Sequence, residues 1–184
     1  MAKSEKGKGG DDKPEKPEKP RTRGEKEVRI YSLATTVNEC IIFLEELEGS
    51  RLLPIWIGIA EGQAIAIRFS GIVLPRPLTH DLLVNMLAEL DVEVLRVTVT
   101  ELRENTFYAQ ITVTQDGQEI ELDSRPSDAI ALAIRAEAPI FAADEVITES
   151  AIEFEHEVED TEEVVEKFKD FLDQVTPEDF ASDE

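Results

Sequence analysis

Two short turn signals, each set between runs of strand-like residues, constrain this chain more than anything else in it. Asp116-Gly117 separates residues 106–114 from 118–123, and Glu48-Gly49-Ser50 separates residues 39–46 from 51–58. An Asp-Gly pair suits the positive backbone angles of a tight hairpin, so each signal predicts two antiparallel neighbours. Strand periodicity recurs at residues 28–37, and at 92–100 through Val92, Val94, Val97 and Val99. Pro54 argues for an edge or a bulge in its strand, and Pro139-Ile140-Phe141 reads as one last short strand. Helical spacing interrupts this pattern three times. Residues 61–69 place Ala64, Ile65 and Ile67 against a sheet and stop at Gly71. Residues 78–90 put Leu82, Leu83, Met86, Leu87 and Leu90 on one face, and residues 127–136 form the third helix. The order predicts an α+β fold: a mostly antiparallel sheet of about six to seven strands covered by three helices.

Composition divides the chain into three regions. Residues 1–26 carry 9 basic and 6 acidic groups in a Lys-, Glu- and Pro-rich segment with almost nothing to bury, and are expected to be a disordered tail. Residues 27–150 form the expected globular domain. Residues 151–184 carry 2 basic and 14 acidic groups and read as an acidic tail holding one helix, whose apolar stripe is Val164, Val165, Phe168, Phe171 and Leu172. That stripe is expected to pack on the domain, on a neighbouring subunit, or on a protein partner.

The net charge of −22 counts against a protein that coats nucleic acid, because an acidic surface slows encounter with any polyanion. It leaves room for a small phosphate-binding site. No run of eighteen apolar residues predicts a membrane span, and the Lys- and Pro-rich N-terminus has no apolar stretch of the kind a secretory signal needs. A single cysteine, Cys40 in an apolar run, excludes an internal disulfide framework and suits a reducing cytoplasm, the expected location. Short strands with exposed edges and an extra amphipathic helix suggest a homo-oligomer.

Two matching phrases carry the candidate chemistry. Arg76-Pro77-Leu78-Thr79-His80-Asp81 and Arg125-Pro126-Ser127-Asp128 each place a guanidinium before the start of a helix. Proline suits a first helical turn, and Thr79 or Ser127 is placed to cap free amides. The amides, the helix dipole and the arginine all favour an anion, with phosphate the obvious candidate. The plainer alternative is that each arginine pairs with a carboxylate of its own chain and locks a loop.

Taken together, these motifs resemble the bifunctional nuclease family. The resemblance spans about residues 27–150 and rests on Leu53-Pro54-Ile55-Trp56-Ile57-Gly58 with Glu61 and Ala64-Ile65, on Pro75-Arg76-Pro77-Leu78-Thr79-His80-Asp81-Leu82, on Thr106-Phe107-Tyr108-Ala109, on Asp123-Ser124-Arg125-Pro126-Ser127-Asp128-Ala129, and on Pro139-Ile140. One departure is Gly62, where the family usually shows alanine. The resemblance implies a nuclease acting on DNA and RNA and brings no established catalytic set.

Phosphodiester hydrolysis needs an activated water and stabilised charge on phosphorus and on the leaving oxygen. Glu61, Asp81, Asp123 and Asp128 are the candidate ligands for Mg²⁺ or Mn²⁺, which prefer oxygen donors. Asp81, Asp123 and Asp128 are also candidate catalytic acids. Arg76 and Arg125, with Thr79 and Ser127, are candidate phosphate ligands. His80 is a candidate general base or acid, since imidazole ordinarily titrates near neutrality. Trp56 reads as core and Tyr108 as a candidate stacking surface. Two function classes follow: a metal-assisted nuclease of low sequence specificity, or a non-catalytic anion- or partner-binding regulatory domain.

Overall fold

The computed structural model describes residues 24–37 and 39–153. The two tail assignments, and with them the helix expected after Thr161, lie outside the described residues. Eight strands form a single sheet in the order β6-β5-β4-β7-β1-β2-β3-β8. Two antiparallel meanders build most of it. The first is β1 (Glu25–Thr35), β2 (Cys40–Glu46) and β3 (Arg51–Ile57); the second is β4 (Glu93–Arg103), β5 (Thr106–Gln115) and β6 (Gln118–Ser124). The short strand β7 (Ile140–Ala143) splices them, antiparallel to β1 and parallel to β4. Helices α1 (Ile59–Phe69) and α2 (Thr79–Glu89) connect the meanders, and α3 (Pro126–Ala136) leads from β6 to β7. A fourth helix, α4 (Asp144–Ser150), and the two-residue strand β8 (Ile152–Glu153) close the described chain.

The α+β class and mostly antiparallel sheet agree with the periodicity, while the counts exceed it by one helix and one strand. β1 also begins at Glu25, so it takes in the last two residues of the segment assigned to the N-terminal tail. At the Asp116-Gly117 turn both residues have positive φ, 52° and 79°, the backbone that joins twisted antiparallel strands without splaying them. In β4 the step from Val94 to Val97 spans three residues, and the extra residue is absorbed by a bulge between Val94 and Arg96. Pro54 sits on β3 where its outer neighbour β8 pairs only with Arg51 and Leu52, so the missing amide costs no ladder bond there.

The core lies between the sheet and its helices, with Ile42, Leu44, Leu53, Ile65, Ile130 and Leu132 essentially inaccessible. β2 is buried along its whole length, including two acids: Glu45 accepts from Arg29 Nε at 2.7 Å and Glu46 from Arg51 at 3.0 Å. Buried carboxylates persist only when paired in this way. α1 meets β2 at Gly62, where a Cβ would collide with Cys40 Sγ. Cys40 is a free, buried thiol. α2 departs from the usual amphipathic arrangement. Only Val84 and Leu87 lean on the core, whereas Leu82, Leu83, Met86 and Leu90 are 40–60% exposed. Among the described residues no helix is long and apolar enough to cross a membrane.

Candidate functional site

Each of the three larger helices carries an acid in its first turn: Glu61 in α1, Asp81 in α2 and Asp128 in α3. Carboxylates are favoured there by the unpaired amides and the positive end of the dipole. The fold gathers these starts around two arginines of α3 and its N-cap.

Arg125 is the N-cap of α3 and precedes Pro126 in the first helical position. Its guanidinium bridges two helices. Nε donates to Asp128 Oδ2 at 2.7 Å, and Nη2 lies 2.9 Å from Glu61 Oε1. The arginine is still 65% exposed, so it is pinned at an open surface. On the far side of Asp128, His80 Nε2 lies 3.2 Å from Oδ1, while His80 Nδ1 is buried with no described partner. Burial pushes the Asp128 carboxyl up, but the hydrogen bonds from Arg125 and His80 and their charges outweigh it. The net result holds Asp128 below the ordinary carboxylate range. Arg125 is raised in turn, chiefly by its bond to Asp128 and then by Glu61.

Asp81 belongs to a second, adjoining pair. Its Oδ2 accepts from the Leu78 amide at 2.7 Å, the acidic half of a capping box, and its Oδ1 accepts from Arg135 Nε at 2.5 Å. Arg135 is 4% exposed and also donates to the carbonyls of Ala131 and Ala64, at 2.9 and 3.0 Å. It ties α1, α2 and α3 together. Burial raises Asp81, and the Leu78 amide followed by Arg135 overcomes that, leaving the carboxyl below its usual range. Sequence reasoning missed Arg135. Its signal was a position seven residues after Asp128, two turns along the same helix face.

The remaining predicted residues scatter. Asp123 is exposed on β6 opposite Gln110 and belongs to neither pair. Arg76 stands exposed in the loop before α2, with no ion pair or hydrogen bond among the described residues. Neither Thr79 nor Ser127 is the N-cap of its helix: the N-caps are Leu78 and Arg125, and neither N-cap side chain bonds a first-turn amide. Thr79 is exposed and Ser127 is buried. Tyr108 lies half-buried under the Arg103 guanidinium, 4.4 Å from its ring centroid.

Beside Arg125 opens a cleft of about 710 Å³, lined by Trp56, Gly58, Phe107, Asn105, Ser127 and Arg125 among others. Trp56, expected in the core, is partly buried against the cluster of Ile41, Phe43 and Leu52 and also reaches the wall of this cleft. The Glu61 carboxylate folds back over Gly58, and a Cβ there would displace it. Among the described residues no group of three or more His, Cys, Asp or Glu side chains is arranged to hold a metal ion. Glu61, Asp81 and Asp128 are each taken by a guanidinium, and Asp123 stands apart. As they stand, the four carboxylates do not fit a resident divalent cation.

Comparison with known proteins identifies related sequences. Residues 42–155 match the bifunctional nuclease domain. The chain is 38% identical over 162 residues to an uncharacterized protein of Mycobacterium tuberculosis, found in strains CDC 1551 / Oshkosh and H37Rv, covering 84% of this chain and 97% of that protein. It is 29% identical over 116 residues to bifunctional nuclease 1 of Oryza sativa subsp. japonica, covering 61% of this chain and 35% of the rice protein. The chain belongs to the bifunctional nuclease domain family.

Proposed function

We propose that this protein is a nuclease that hydrolyses phosphodiester bonds in DNA and RNA with low sequence specificity. The observation that carries the reading is the exposed Arg125 guanidinium, pinned between Glu61 and Asp128 at the start of α3 and opening on the cleft. A phosphate entering there meets the arginine and the free amides of the first helical turn, both aimed at negative charge. Asp128 is ionised at neutral pH and is oriented by His80, so it accepts a hydrogen bond from the attacking water and aligns it. His80 acts as a positioning residue. Trp56 and Phe107 offer flat apolar surface on which a base stacks without regard to its identity, which suits relaxed specificity. The nuclease activity for which the rice relative is named supports the same reading. No step runs through Mg²⁺ or Mn²⁺, because the donors present do not fit one.

The second reading, a non-catalytic anion- or partner-binding domain, is favoured by the closure of Glu61 and Asp128 onto Arg125. Purified protein incubated with labelled single-stranded and duplex DNA and RNA separates the two. The arms contain EDTA, Mg²⁺ or Mn²⁺. Cleavage of both nucleic acids supports the nuclease, and the EDTA arm reads cation dependence directly. Binding of oligonucleotide without cleavage in every arm supports the second reading.

A further inference from the structure

We propose that the sheet face turned away from the helices is covered by segment 161–172 of this same chain, docked through Val164, Val165, Phe168, Phe171 and Leu172. Side chains alternate along β2, so Ile42 and Leu44 enter the main core while Ile41 and Phe43 point to the other face. There Ile41, Phe43 and Leu52 form a second cluster, joined by Ala34, Trp56 and Ile152. Ile41, Phe43 and Leu52 are only 2–4% exposed. Yet every member of this cluster is a strand residue, and among the described residues no helix contributes to it. Ile65, Val84, Ile130 and Val146, one from each helix, all pack on the main core instead. A sheet face closed to this degree needs a second layer laid over it.

The described chain stops at the edge of this cluster. β8 ends at Glu153, and Ile152 beside it already belongs to the cluster, paired with Leu52 on β3. Residues 154–160 span up to about 23 Å when extended, enough to bring Thr161 back over β2 and β3. In a helix, positions 164, 165, 168, 171 and 172 fall on one stripe, with Glu163, Glu166 and Asp170 on the opposite side. Twelve helical residues are about 18 Å long, and the seven residues of β2 about 23 Å. The stripe therefore matches the strand beneath it. Arg29, 64% exposed and opposite Glu45 on this face, sets positive charge beside a segment that begins with Glu162 and Glu163. A short tether holds the segment at an effective concentration in the millimolar range. A second copy would instead meet the repulsion of two chains that each carry a net charge of −22.

Hydrogen exchange on the full chain, with the fluorescence of Trp56, its one tryptophan, tests this. In wild type the amides of 163–172 are expected to exchange at least tenfold more slowly than in an isolated peptide of residues 154–184, equally at low and high micromolar concentration. Phe168→Asp combined with Phe171→Asp is expected to abolish that protection, shift the Trp56 emission to the red and raise its quenching by acrylamide severalfold. Unchanged protection of the β4 and β5 amides shows that the domain stays folded. Phe171→Ala alone is expected to move the same readouts less, and serves if the double variant unfolds. Asp170→Asn, opposite the stripe, is expected to change none of them. Wild-type amides exchanging at the rate of the peptide overturn the proposal. So does protection that appears only as concentration rises, which would assign the face to a second copy. Trp56 emission and quenching unmoved by both Phe171→Ala and the folded double variant overturn it as well.

Discussion

Gly62 and Cys40 share one packing volume: the space an alanine Cβ would occupy at position 62 is filled by the cysteine sulfur. The glycine that departs from the family's usual alanine is thus explained by its neighbour on β2, which brings α1 close to the sheet. Gly62→Ala is expected to lower stability by about 1–3 kcal/mol through overpacking, although alanine is the better helix former. Cys40→Ala in the same chain is expected to recover part of that loss. A double-mutant cycle by urea denaturation reads the coupling, and additive effects would contradict the shared volume.

The Asp81–Arg135 pair predicts an acid-sensitive contribution to stability. Asp81 has a depressed folded carboxyl, so its contribution is complete above the unfolded value and is lost as pH falls through the folded one. Asp81→Asn leaves Arg135, 4% exposed, without its carboxylate, and is expected to cost about 2 kcal/mol at pH 7. The cost is expected to shrink below the ordinary carboxylate range, near pH 4 and under. Urea unfolding at pH 7 and pH 3 checks it. An equal cost at both would show that the charge of Asp81 is not what matters.

Carbon-detected NMR titration of the Asp128 carboxyl examines the site without reference to activity. The resonance is expected to titrate below the ordinary aspartate range in wild type. In Arg125→Ala it is expected to move upward, since the hydrogen bond and charge of Arg125 are the main forces opposing burial. A midpoint unmoved by that substitution would mean that the ion pair does not persist in solution.

Much of this arrangement is legible in the amino-acid order itself. The Asp116-Gly117 hairpin and the order of strands and helices follow from turn chemistry and periodicity, which are local. The start of α3 is legible because Pro126 and Asp128 are first-turn residues by nature. What depends on distant partners is not. β8 is two residues long and exists because β3 offers it an edge at Arg51 and Leu52. α4 is a single short stretch whose Val146 and Ile147 fill the core, too few to set a period. The stripe on α2 is visible, but periodicity says only that a helix has an apolar face. It does not say whether that face meets the sheet, and here most of it does not.

The same limit applies to the site. Glu61, His80, Asp81, Arg125 and Asp128 stand out by their motifs, and the fold brings them together in two neighbouring groups. Their partners are not readable from the motifs. The expectation of four carboxylates around a cation assumes that acids in nearby motifs converge on one another, whereas Glu61, Asp81 and Asp128 converge on guanidinium groups. Arg135 escapes notice because it lies at the end of α3 that no motif marks, and its role emerges only when α1 and α2 pack beside it.

In the proposed nuclease the start of α3 performs the cleavage. Folded Arg125→Ala and Asp128→Asn are to be compared with wild type for cleavage of a labelled single-stranded oligonucleotide. The expected result is a loss on the order of 10²-fold or more in each variant, the scale of losing one group that stabilises or aligns the reacting atoms. Wild-type rates in both variants, with their folds intact, would contradict it.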